Sequence, residues 1–240
     1  MYRFVYFLRL IMYICICIDF SLLLFYIIME VMAEIIPAIL EKEFAEIEKK
    51  IRLVEGLVSW VQIDILDSTL MNNVTFSDPA PFSSLRTPLK LELHLMVKDP
   101  LIYLPGFAKA GFKRFFAHVE GEHVEEYIET CLKYDVEVGL AIDGPTPVEK
   151  IKKYLADIDS VLVMAVSAGQ SGGIFREETL EKIKKIKEFD FEMPISVDGA
   201  MNVENAKKVI AAGATRICSN SYIFGSENVK VAIGELKSLK

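Results

Sequence analysis

Three side chains have the types and spacing to act together: Asp64, His94 and Asp198, each near the end of a short apolar run. The runs read Gln62-Ile63-Asp64-Ile65-Leu66-Asp67, Glu92-Leu93-His94-Leu95-Met96 and Ser196-Val197-Asp198-Gly199. Alternate residues of a strand share a face, so Gln62, Asp64 and Leu66 fall together, as do Glu92, His94 and Met96. A carboxylate on the inward face of a buried strand is costly unless it is paired or metal-bound. Taken singly, each of the three reads as a polar residue at a rim, hydrogen-bonded to a neighbouring loop. Two acids and an imidazole at three strand ends instead suit convergence on one metal ion or one substrate carbon.

A second group has the character of an anion cradle. Ser167-Ala168-Gly169-Gln170-Ser171-Gly172-Gly173 follows one apolar run, Gly199-Ala200 follows the next, and Asn220-Ser221 follows the last. Glycines let main-chain N–H groups approach an anion closely. A single Gly-rich loop is often no more than a tight turn. Three such loops in succession match the place where α/β barrels hold phosphate.

These residues need a scaffold that brings strand ends together. Short β-rich runs occur at Ile35–Ala38, Trp60–Leu66, Leu91–Leu95, Arg114–Val119, Glu137–Ile142, Ser160–Val166, Pro194–Val197 and Arg216–Cys218. Charged stretches with helical spacing lie between them: Phe44, Ile47, Ile51 and Val54 make one apolar face, and Leu180, Ile183 and Ile186 another. Eight strands alternating with helices predict a closed (β/α)8 TIM barrel of the α/β class, a single domain over residues 32–240. An open doubly wound sheet is the competing arrangement. Its Gly-rich turn after the first strand is missing, the chain reading Pro37-Ala38-Ile39-Leu40 there.

Composition narrows the function. The 240 residues are 52% hydrophobic and 25% charged, which excludes a disordered chain. Lys and Arg number 27 against 34 Asp and Glu, and the resulting charge of −7 argues against nucleic-acid binding. Four Cys without a CxxC pair make neither a disulfide framework nor a zinc finger, which fits a reducing, cytoplasmic setting. Residues 1–31 form an apolar extension interrupted by Arg9, Asp19 and Ser21. It has the length of a membrane span, though its charges are costly in lipid. An upstream extension of the reading frame, with Met29 or Met32 as the start, is a second reading, and a signal peptide a third. A membrane partner follows only from the first of these.

The ordered motifs resemble the ribulose-phosphate 3-epimerase family. They are Ile36-Pro37-Ala38-Ile39-Leu40, Asp64-Ile65-Leu66-Asp67, His94-Leu95-Met96-Val97, His118-Val119-Glu120, Thr146-Pro147, Met164-Ala165-Val166, Gly172, Phe175, Val197-Asp198-Gly199 and Ser221-Tyr222-Ile223-Phe224. The resemblance covers nearly all of Glu34–Lys240. It implies an isomerase of carbohydrate metabolism that interconverts ribulose 5-phosphate and xylulose 5-phosphate by two-base proton transfer through an enediolate. It also implies Asp64 and Asp198 as the acid/base pair, and a divalent metal ion (Zn, Mn, Mg or Fe) on Asp64, His94 and Asp198. His94 and the residues Gly169, Gln170, Ser171, Gly172, Gly199, Ala200, Asn220 and Ser221 would meet a small phosphorylated sugar. A homo-oligomer is compatible with all of this.

The chain departs from the family pattern at several points. The family's first His ligand is Gln62, its first-strand Ser is Ala38, and its Gly-Phe-Gly-Gly loop is Gly169-Gln170-Ser171-Gly172. Its Gly-Gly after the seventh strand is Gly199-Ala200, and its Gly-Ser after the eighth is Asn220-Ser221. Gln62 is expected to turn its amide oxygen to the metal, a hard neutral donor better matched to Mg²⁺ or Mn²⁺ than to Zn²⁺. Asn220 tolerates a left-handed backbone; Ala200 does so less readily. The alternatives are a non-catalytic phosphosugar-binding relative, or a related barrel enzyme acting on another sugar phosphate.

Overall fold

The computed structural model describes residues 33–166 and 173–239. The apolar extension and the loop residues Gly169, Gln170, Ser171 and Gly172 lie outside them. Along the described chain run β1 (Glu34–Ile39), α1 (Phe44–Val54), β2 (Trp60–Leu66), β3 (Lys90–Met96), α2 (Leu104–Lys109), β4 (Arg114–His118), α3 (Val124–Lys133), β5 (Glu137–Ile142) and α4 (Glu149–Lys152). Then come β6 (Ser160–Met164), α5 (Glu178–Phe189), β7 (Ile195–Asp198), α6 (Val203–Ala212), β8 (Arg216–Ser219), α7 (Ser221–Phe224) and α8 (Val229–Lys237). The strands pair in sequence order, all parallel, and β1 pairs with β8 to close the barrel. Among the described residues no helix is long and apolar enough to cross a membrane.

Helical spacing puts apolar side chains where the barrel needs them. Ile47, Ile51 and Val54 are the buried stripe of α1, and Thr179, Ile183 and Ile186 that of α5. Outward-facing strand residues such as Ile35, Ile63, Leu93 and Val161 join those stripes in one continuous layer of core. Their alternate neighbours point inward and fill the barrel. One inner cluster joins Phe116, Ala141, Leu162, Met164 and Val166; another joins Ile36, Ala38, Trp60 and Cys218. Gly139 makes room for the Phe116 ring, since a Cβ there would lie 2.3 Å from Cδ1 of Phe116.

The interior also holds a buried ion network. Arg114 Nη1 lies 2.6 Å from Glu92 Oε2, and its Nε lies 2.7 Å from Glu137 Oε1. Arg216 Nη1 meets the same Glu137 oxygen at 2.9 Å, and the Arg114 guanidinium sits 3.9 Å over the Trp60 ring. Burial drives the Glu92 carboxyl up to about 7 even with Arg114 beside it. Glu92 faces inward like His94, yet its partners are structural.

Candidate active site

Strand register assembles the polar cluster. β2 and β3 pair so that Gln62 lies beside Glu92 and Asp64 beside His94. β7 contributes Asp198 as its last residue. Asp64, His94 and Asp198 each present one ligand atom, and these atoms lie within 4.8 Å of one another. All three side chains sit towards the C-terminal ends of their strands, as the period-two reading requires.

Gln62 ties the acids together. Its Nε2 donates to Asp64 Oδ1 at 2.8 Å and to Asp198 Oδ2 at 2.7 Å, while its Oε1 is buried without a hydrogen-bond partner. The sequence reading expects an amide oxygen turned to the metal position; here the nitrogen occupies that side. The reason is electrostatic. Two buried carboxylates repel an amide oxygen and accept from an NH₂ group. The orphaned Oε1 shows the cost of this choice.

The cluster's electrostatics follow from burial and close pairing. His94 Nδ1 lies 3.2 Å from Asp64 Oδ1 and 3.6 Å from Asp198 Oδ2. Burial works against a charged imidazolium, but Asp198 and Asp64 outweigh it and carry the His94 pKa up to about 9. Burial, with Asp198 close by, pushes the Asp64 carboxyl above the ordinary range, against the opposing pull of His94 and Gln62. Behind His94 its Nε2 meets His118 Nε2 at 3.0 Å, and His118 Nδ1 meets Glu120 Oε2 at 3.1 Å. Burial holds the His118 pKa down. Burial opposes ionisation of Glu120, yet hydrogen bonds from His118, Thr146 and the Asp143 main chain bring it to about 2. The His118-Val119-Glu120 motif was visible in the sequence without a role. Period two on β4 and the neighbouring position of β3 were the signals that place His118 beside His94.

A cavity of about 330 Å³ gathers the loops after β6, β7 and β8, with Gly173, Ala200, Asn202, Ser221 and Tyr222 among its lining. Of the residues expected at the phosphate, Ala200 and Ser221 line it; Gly199 and Asn220 adjoin those two in the chain without lining it. Gly199 has φ +102, and a Cβ on it would meet Val166 Cγ2 at 2.5 Å. Ala200 adopts the left-handed backbone, φ +54, that the family's glycine would take more cheaply. Its carbonyl accepts from the Asn202 N–H and from Asn205 Nδ2, which holds the loop in that shape. Asn220 has φ −104, so the left-handed tolerance expected to matter there is not used.

Fold and cluster together define a (β/α)8 barrel with a buried polar cluster at the C-terminal mouth, the end where such barrels carry their active sites. The chain belongs to the ribulose-phosphate 3 epimerase family, whose model matches residues 34–224. It is 34% identical over 218 residues to the Bacillus subtilis protein named ribulose-phosphate 3-epimerase, covering 87% of this chain and all of that one. It is 30% identical to the Arabidopsis thaliana protein named ribulose-5-phosphate-3-epimerase, chloroplastic, covering 85% of this chain and 76% of that protein. The barrel also superposes on the crystal structure of KGPDC from Streptococcus mutans, with TM-score 0.64, 14% identity, and coverage of 86% of this chain and 96% of that one.

Proposed function

We propose that this chain interconverts D-ribulose 5-phosphate and D-xylulose 5-phosphate, with Asp64 and Asp198 as the two proton carriers. The observation that carries the reading is the convergence of those carboxylates, from β2 and β7, on a single amide nitrogen. A substrate carbon held between them is open to one acid on each side. One Asp removes the proton beside the carbonyl, leaving an enediolate, and the other returns a proton to the opposite face. The sugar's phosphate would occupy the cavity between Gly173, Ala200 and Ser221.

The donor set fits a divalent ion. Asp64, His94 and Asp198 would hold it, and the orphaned Oε1 of Gln62 supplies a further oxygen if the amide turns over about its terminal bond. When bound, the ion supplies the positive charge that offsets the developing enediolate. With three oxygen donors and one imidazole nitrogen, Mn²⁺ or Mg²⁺ suits the site better than Zn²⁺. Gln62→His should tighten Zn²⁺ by about tenfold or more, the scale on which altered metal shells act. Calorimetric titration reads this directly, and unchanged affinity would place Gln62 outside the ligand set.

The reading itself is tested by incubating the purified chain with Mn²⁺ and ribulose 5-phosphate in D₂O. Xylulose 5-phosphate carrying deuterium at the inverted carbon is the expected product. Binding of the sugar phosphate, seen as a rise in Tm, without conversion or exchange would favour the non-catalytic phosphosugar-binding alternative.

A further inference from the structure

His118 and Glu120 take no part in the proton exchange, yet they form an unbroken chain behind His94. β3 and β4 pair with His94 opposite Phe116, and His118, two residues on, faces the same interior. The two imidazoles stack with centroids 5.2 Å apart and planes 20° from parallel. Their Nε2 atoms are 3.0 Å apart, and neither ring is exposed. Two ring nitrogens at that distance require one to donate and the other to accept.

The outer end of the chain settles the direction. Glu120 Oε1 accepts from the Asp143 main-chain N–H at 3.0 Å, a donor that cannot become an acceptor. Ionised Glu120 also accepts at Oε2, so the hydrogen between it and His118 belongs to His118 Nδ1, 3.1 Å away. Neutral His118 then offers only a lone pair at Nε2, and His94 Nε2 must carry the hydrogen that fills it. The other nitrogen, His94 Nδ1, faces Asp64 and Asp198 and gives its own hydrogen to them; that is the position an ion would take over. We propose that Glu120 and His118 are positioning residues that keep a hydrogen on His94 Nε2 and so reserve Nδ1 for the two carboxylates and for an ion bound by them. The ion belongs to the function proposed above; the direction of the hydrogen bonds does not depend on it.

The test compares the whole chain with Glu120→Gln and His118→Phe. Gln has one acceptor oxygen where Glu has two. The Asp143 N–H claims that oxygen, and the amide NH₂ turns to His118 Nδ1. His118 must then accept at Nδ1 and donate from Nε2, which reverses the chain, makes His94 Nε2 an acceptor and leaves the His94 hydrogen on Nδ1, where it blocks an ion. Phe at position 118 keeps a stacked ring of similar size and removes both hydrogen bonds. Two-bond ¹H–¹⁵N correlation spectra of ¹⁵N-histidine protein read the tautomers, and calorimetry with Zn²⁺ reads the ion. The native chain should show His118 hydrogen on Nδ1. Glu120→Gln should shift it to Nε2 and weaken Zn²⁺ about 10–100-fold, the range for lost support of a ligand. His118→Phe should weaken Zn²⁺ similarly, and it decides the matter alone if Glu120→Gln does not fold. Unchanged tautomers and unchanged Zn²⁺ affinity in these variants would overturn the proposal. If the native chain takes up neither Zn²⁺ nor Mn²⁺, the metal reading fails, while the tautomers of the ion-free protein still decide the relay.

Discussion

Asp198→Asn should lower turnover roughly 10²–10⁴-fold, the usual worth of a positioned acid or base, and leave the barrel folded. Asp64→Asn should do the same. The amide matches the carboxyl in size and can still accept the Gln62 Nε2–H, but it can neither take a proton from the reacting carbon nor return one. Each change relieves repulsion between two buried carboxylates and takes one partner from His94, opposing effects that should leave Tm close to native. The informative measurement is epimerisation in D₂O, followed by NMR at the inverted carbon. If either variant still yields epimerised, deuterated product at close to the native rate, the two-acid mechanism is wrong.

Arg114→Met carries the largest expected loss of stability. It takes the bonded cation from Glu92, which is wholly buried, and leaves it Cys218 Sγ at 3.9 Å within the barrel. Breaking a buried ion pair from one side costs ~3–5 kcal/mol. The loss should grow with pH. Glu92 already has its pKa raised from 4.5 to about 7, and removing the guanidinium raises it further. A raised folded-state value means stability that is present below about pH 4.5 and lost as pH climbs through the folded value. Urea unfolding at acid and at mildly alkaline pH should therefore separate the variant from the native chain more widely at the alkaline end. Adding Glu92→Leu should recover most of the loss, because an apolar pair often replaces a buried ion pair at little cost. A variant as stable as the native chain at both pH values would show that the network contributes little.

The sequence was most informative where a short-range pattern decides the structure. Period two in Trp60–Leu66 and Lys90–Met96 places Asp64 and His94 on inward faces, and the stripe Ile47, Ile51, Val54 places α1 against the barrel. What could not be read depends on partners distant in sequence. The direction of the Gln62 amide is set jointly by Asp64, two residues away, and by Asp198, 136 residues away. The buried state of Glu92 rests on Arg114 and Glu137, whose spacing in the chain marks nothing. His118 and Glu120 were legible as a motif, but only the β3–β4 register turns them into a hydrogen-bonded chain. At Ala200 the family resemblance raised the question of a left-handed residue, and the loop adopts that backbone with alanine in place.

Closure of the barrel between β1 and β8 has a consequence for how the protein is made. Glu34 pairs with Arg216, so the seam joins residues from nearly the two ends of the described chain. Such long-range pairing slows folding, since the intervening chain must lose its freedom before the contact rewards it. On the ribosome, β1 has no lasting partner on that side until β8 has been synthesised. The two acids stand on either side of this seam, Asp64 on β2 and Asp198 on β7, and Gln62 reaches across to join them. A nascent chain stopped before β8 has every strand that bears an acid and still lacks the seam that brings those acids face to face. The meeting of the two acids is thus among the last things this polypeptide acquires, and it reports that the barrel has closed.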